Sequence, residues 1–193
     1  MQMKQIHDSQ FANLKFPMYI WIMRLHNGMR PQDIVILLKI IVKEGKSWHN
    51  KELSEELFIS ASEVSESLRR SGIAGLIDME KKKKVFRQSL MEFLQHGIRF
   101  VFPVQPGTLV NGMPTAHSHS FMRTHFSSES DYVWPDTRGY DRGLSIEPLY
   151  KNQVKAAKVD ANLYQMLALV DVIRVGRVRE TIVAVDELKK MIL

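Results

Sequence analysis

The sequence predicts a mainly helical chain of the α+β class, with one small β-hairpin in its first half and a loop-rich second half that ends in helices. Three observations carry that prediction. Apolar residues recur at helical spacing through 31–42, 50–68, 90–98 and 163–192. Gly72 and Gly75 mark a corner before Leu76 and Ile77, and a run of lysines after them reads as a hairpin tip. Prolines and glycines then punctuate residues 103–148 every ten or so positions, where a long helix is implausible.

Residues 1–15 are polar. Residues 16–25 are dense in apolar groups, among them Phe16, Ile20, Trp21 and Ile22, but the run is too short to span a bilayer. Three uses are open to it: packing on the chain's own core, a dimer interface, or a partner or membrane surface. Asn27 and Gly28 mark a turn. Pro31 suits the first turn of a helix, where its missing N–H costs nothing, and Asp33 beside it suits the positive end of the dipole. Ile34, Val35, Leu37, Leu38, Ile41 and Val42 make this helix the expected central beam of its domain, with Gly45 as its end.

A second helix is expected over 50–57, with Leu53 and Leu57 on one face, and Phe58 and Ile59 as the turn. Ser60 then caps a third helix. Ala61, Val64 and Leu68 share its inner side, leaving Ser62, Glu63, Glu66, Arg69 and Arg70 outward and Ser65 near the boundary. Glu63 stands three residues after Ser60, so it either completes a capping box or faces a ligand. Glu66 either pairs with Arg69 or Arg70 along the helix or accepts from a cytosine amino group. The hairpin follows, with Leu76 and Ile77 as one strand, Lys84 to Phe86 as its return, and the lysines at its tip. Ser89 looks like a further cap, for a helix to about Gly97.

Charge is concentrated in this region. The 193 residues carry a formal net charge of +6. Residues 1–99 hold 16 Lys and Arg against 11 Asp and Glu, and the strip 69–87 alone accounts for that excess. Four lysines on one hairpin tip repel each other unless they lie in solvent or against a polyanion.

Taken together, residues 31–87 resemble the winged helix-turn-helix domain of small bacterial transcriptional regulators of the MarR-like kind. The resemblance rests on three stretches, Pro31-Gln-Asp-Ile-Val-Ile-Leu-Leu-Lys, Lys51-Glu-Leu-Ser-Glu-Glu-Leu and Ser60-Ala-Ser-Glu-Val-Ser-Glu-Ser-Leu-Arg-Arg, followed by the Gly72–Ile77 entry to the wing. It covers under a third of the chain. It implies double-stranded DNA as the partner, a homodimer, and a role in transcription regulation. On that similarity Ser62, Glu63, Ser65, Glu66, Arg69 and Arg70 are the base-reading candidates, and Lys81, Lys82, Lys83, Lys84 and Arg87 the phosphate contacts. Two acidic residues among the readers depart from the usual basic pattern, so binding would rest on geometry and on the neighbouring lysines.

The boundary between a DNA-binding domain (1–99) and an accessory domain (100–193) is expected near residue 100. In the second half, Phe100 to Phe102 and Tyr132 to Trp134 read as short strands. Seven aromatic residues between 100 and 140 argue for an ordered platform. His117, His119 and His125 lie there in a polar, exposed-looking stretch. His117 and His119 would face the same way on a strand, but no convincing third and fourth metal ligands accompany them. Asp160 leads into a helical stripe of Leu163, Met166, Leu167, Val170 and Ile173, and a last helix carries Val183, Val185, Leu188 and Ile192. Arg174, Arg177 and Arg179 between them are either phosphate or partner contacts or plain surface charge.

Composition narrows the remaining classes. No cysteine is present, which excludes disulfides, thiol catalysis and cysteine-containing zinc sites. No phosphate-binding glycine loop, His-Glu-x-x-His or Gly-x-Ser-x-Gly appears, so no enzyme activity and no cofactor or metal is expected. With neither a signal-peptide pattern nor an 18-residue apolar run, the chain reads as cytoplasmic with no membrane partner. The alternative to a regulator is an antitoxin-like or defence-associated interaction module. It would hold a protein partner through residues 100–193 and also bind its own operator.

Overall fold

The computed structural model describes residues 28–43, 46–79, 84–128 and 130–193. The apolar segment 16–25, Gly45 and three of the tip lysines (Lys81, Lys82 and Lys83) lie outside the described residues. What is described is mainly helical with a few short strands, in keeping with the α+β class.

The first helix, α1 (Pro31–Val42), begins on Pro31 as its first residue. Asp33 accepts from the Arg30 backbone N–H at 2.8 Å, closing the first turn. Every residue from Asp33 to Ile41 is buried. Helix α2 (Asn50–Leu57) turns only Leu53 and Leu57 inward and ends on Phe58 in the left-handed region, φ 55°. A non-glycine residue there costs about 1 kcal/mol. The Ser54 hydroxyl donates to the Ile59 carbonyl at 2.6 Å and helps hold that turn. Helix α3 (Ala61–Ile73) follows, with Ser60 accepting from the Glu63 N–H as its cap. Strands β1 (Ile77–Asp78) and β2 (Lys84–Val85) pair antiparallel, with Ile77 opposite Val85.

Two local expectations are corrected in the next stretch. Helix α4 (Arg87–His96) starts two residues before Ser89, so Ser89 does not cap it. Phe100 to Phe102, expected as strand, instead fall at the end of a short helix, α5 (Ile98–Val101), with Phe102 just past it. The run has helical hydrogen bonds back to Gly97 and Ile98, and local bonding of that kind overrides the strand preference of its aromatic residues.

The loop-rich platform holds a three-stranded sheet closed on itself. Strand β3 (Leu109–Pro114) pairs antiparallel with both β4 (Tyr132–Pro135) and β5 (Asp141–Ser145), while β4 and β5 pair parallel. So few strands close only if backbones approach where side chains would normally stand. A Cβ on Gly112 would lie 2.1 Å from the Trp134 carbonyl oxygen, and one on Gly143 would lie 2.5 Å from that of Asp131. The turn Ala116–Ser118 and helix α6 (Ser120–Arg123) link β3 to β4.

Helix α7 (Gln153–Val159), unmarked in the sequence reading, leads into α8 (Ala161–Val175), which Asp160 caps by accepting from the Leu163 N–H. Helix α9 (Val178–Ile192) closes the chain. Helix α8 is buried nearly all round, with Met166 through Arg174 unbroken, as a helix at the centre of a core must be. Buried side chains from both sides of residue 100, Leu37, Leu90, Leu167 and Leu188 among them, belong to one hydrophobic cluster. The packing therefore runs through the boundary expected there. No helix among the described residues is long and apolar enough to cross a membrane.

A buried polar hub ties α8 to the sheet. Asp171, fully buried, accepts from Trp134 Nε1 at 2.6 Å, Thr115 Oγ1 at 2.9 Å and Arg174 Nη1 at 2.7 Å. Burial raises the Asp171 pKa, while Arg174, Trp134 and Thr115 work against that rise. Arg174, expected at the surface between helices, is itself buried and also donates to the carbonyls of Phe102 and Glu147. Replacing Arg174 with Met should cost about 3–5 kcal/mol in urea denaturation, because it strands a buried carboxylate. The double change Asp171→Asn with Arg174→Met should cost less than Arg174→Met alone.

Candidate nucleic-acid interface

Helix α3 has two unlike sides. Val64, Ser67, Leu68, Arg70 and Ser71 are buried, facing inward against α1 and α2. Ser62, Ser65 and Glu66 are exposed and Arg69 is half-buried, and their spacing places all four on one stripe of the helix. Ser62, Ser65 and Glu66 are therefore open to solvent. Ala61, expected on the inner side, is exposed at the first turn.

What holds α3 in place is an ion-pair network at the N-terminus of α1. Arg70 donates twice to Asp33, Nε to Oδ2 at 2.9 Å and Nη2 to Oδ1 at 2.7 Å, and again to Glu63 Oε1 at 2.9 Å. Gln32 Nε2 donates to the same Glu63 oxygen at 2.7 Å, and Arg30 stands 3.6 Å from it. Asp33 is fully buried and Arg70 is 2% exposed. The hydrogen bonds to Asp33 outweigh burial and hold the Arg70 guanidinium more firmly protonated than an ordinary arginine.

Two base-reading candidates are corrected by this arrangement. Arg70 does not face outward; it is spent on Asp33 and Glu63. Glu63 turns its carboxylate to Arg70 and Gln32. Ser60 does cap the helix, but the Glu63 side chain is used in the interhelix network instead of a reciprocal capping box. Glu66 pairs with Arg69 at 3.0 Å along the helix, the structural alternative raised by their spacing. The stripe that stays outward is therefore Ser62, Ser65 and a neutralised Glu66–Arg69 pair.

Of the phosphate candidates, Lys84 is exposed on β2 opposite Asp78. Arg87 is half-buried and donates Nη1 to the Ile192 carbonyl at 2.8 Å, tying α4 to the end of α9. That bond accounts for part of the guanidinium expected at phosphates. Lys81, Lys82 and Lys83 lie outside the described residues.

A second network joins α1, α2 and the second half of the chain. Lys39 reaches Asp160 and Glu56, each at 2.6 Å, and Lys43 pairs with Glu56 and, at 3.5 Å, with Glu52. Burial raises the Glu56 pKa, but the bonds from Lys39 and Lys43 prevail and leave its carboxyl below the ordinary value.

The histidines, expected in an exposed stretch, divide. His117 and His119 are buried, and only His125 is exposed. His117 Nε2 meets the Ser130 carbonyl at 2.7 Å, and its ring lies against Tyr132. His119 Nδ1 accepts from the Phe121 N–H at 3.3 Å, and its ring stands edge-on to Tyr164. Among the described residues no three His, Asp or Glu side chains gather as a metal site would require. Burial drives the His119 pKa from 6.5 to about 4.

Two predictions follow from these environments. Arg70→Met should destabilise the chain by about 3–5 kcal/mol, whereas Arg69→Met, one residue away and without a fully buried carboxylate to strand, should cost less. Urea midpoints measure both. Neutral His119 favours the fold above pH 6.5, and that contribution is lost as pH falls through about 4. It amounts to about 3 kcal/mol, so urea titrations at pH 7 and pH 4.5 should differ less in His119→Gln than in the natural sequence.

Comparison of the chain with protein-family models, with curated proteins and with solved structures finds no match.

Proposed function

We propose that the chain is a sequence-specific double-stranded DNA-binding protein acting as a transcriptional regulator. In this reading α1, α2, α3 and the β1–β2 hairpin form a winged helix-turn-helix. The observation that carries it is the uncovered stripe of α3 on a helix whose opposite side is locked by Asp33 and Arg70. A reading helix has to approach base edges closely without shifting register. Ser62 and Ser65 are short enough to permit that approach and can donate to or accept from base edges. The Glu66–Arg69 pair can reorganise toward a base pair, arginine to a guanine edge and glutamate to a cytosine amino group. Lys84 and the tip lysines beside it supply phosphate contacts. One such unit reads few base pairs, so the working form is a dimer on a site with two-fold symmetry.

A protein-interaction role for the second half has its own support. Phe100 is 79% exposed and Val178 76%. Arg99 hooks α5 to the α8–α9 junction by donating to the carbonyls of Arg174 and Gly176. A partner that covered such groups would bury apolar area that the chain leaves in water. Co-purification of an untagged neighbouring gene product in stoichiometric amount would favour this antitoxin-like role over regulation alone.

Selection from a random duplex pool should enrich one sequence with two related half-sites. Ser65→Glu should weaken binding to it at least tenfold in fluorescence anisotropy while leaving the urea midpoint in place. Failure to enrich any sequence, or unchanged affinity in Ser65→Glu, would overturn the proposal.

A further inference from the structure

The outward stripe of α3 brings almost no net positive charge to a duplex. Glu66 neutralises Arg69, and Arg70 is buried against Asp33 and Glu63. The cations that meet the phosphates on either side of this helix must come from its neighbours. On one flank the hairpin offers Lys84. The other flank is the turn before α3, and there the second half of the chain intrudes.

Asn152 donates its side-chain amide to the Phe58 carbonyl at 2.7 Å, and the Tyr150 hydroxyl donates to the Leu57 carbonyl at 3.0 Å. One acceptor is the last residue of α2 and the other the first of the turn to α3, so the residues just before α7 are bonded to the backbone that leads into Ser60. Lys151 sits between the two donors and Lys155 one turn along α7, and both are exposed. No ion pair or hydrogen bond engages either side chain among the described residues. Two exposed lysines are thus carried on a segment bonded to the backbone that leads into the helix proposed to enter the major groove. That groove is about 12 Å wide, so a helix seated in it brings its flanking segments against the phosphate ridges.

We infer that Lys151 and Lys155 form a phosphate-contacting flank for the proposed DNA-binding helix, so that the second half of the chain takes part directly in duplex binding. The inference rests on the DNA-binding reading and adds a residue-level contact from outside the helix-turn-helix.

The test compares full-length Lys151→Gln/Lys155→Gln with Arg177→Gln/Arg179→Gln, which removes equal charge from exposed positions elsewhere, on the selected duplex between 50 and 200 mM salt. Losing two phosphate contacts should lower the slope of log affinity against log salt by about 1.8, and the affinity lost across that range should shrink about tenfold relative to the natural chain. The arginine pair should leave the slope unchanged, and thermal midpoints should not move for either. If the lysine variant keeps the natural slope, or the arginine variant changes it equally, the inference is overturned. The DNA-binding reading survives that result as long as Ser65→Glu still weakens binding at least tenfold. If the natural chain binds no duplex at all, both fall.

Discussion

The bidentate pair between Arg70 and Asp33 is the constraint on which the candidate site depends. Both groups are out of water, and such a pair adds little net stability compared with well-packed apolar residues of the same volume. What it supplies is definition. A planar guanidinium meeting a carboxylate through two parallel bonds permits one relative orientation of two helices, whereas Val64 and Leu68 alone would tolerate some sliding. Glu63 and Gln32 extend the arrangement, so that both the first and the last turns of α3 are referred to the first turn of α1. The helix is thus positioned by its hidden side, while its open side carries the short side chains of Ser62 and Ser65.

Helix α8 plays the corresponding part for the whole molecule. It packs against α1, α4, α7 and α9, and its Asp171 reaches out to the closed sheet through Trp134 and Thr115. Lys39 adds a bond from the middle of α1 to the residue that caps α8. The two halves of the chain therefore share an apolar core and are cross-linked by charge and backbone hydrogen bonds. That sharing brings residues 150–155 against the turn before α3, which no property of either half alone would suggest.

The local elements were largely legible. Pro31 opening α1, Asn50 and Leu57 bounding α2 and Ser60 capping α3 stand where capping chemistry and apolar spacing put them, and α8 begins just after Asp160, where its apolar stripe was read to begin. Strands β1 and β2 were visible from the glycines and the apolar pair before the lysine run. Strand β4 was visible from its aromatic and β-branched residues, while β3 and β5 were hidden by the glycines that let the sheet close. Phe100 to Phe102 misled because an aromatic pair outside a regular pattern carries strand preference even where the backbone continues helical bonding.

The sequence by itself determined the class of the fold, most helix starts and the small, polar character of one side of α3, because these follow from neighbours within a few residues. It could not separate Arg69 from Arg70. Consecutive helix positions point about 100° apart, and which of the two meets Asp33 is set by how α1 packs 37 residues away. The same holds for His119, Asp171 and Arg174, polar residues that local pattern assigns to the surface or leaves unassigned. Their burial was decided by tertiary structure alone, since a partner distant in sequence is what makes a buried polar group tolerable.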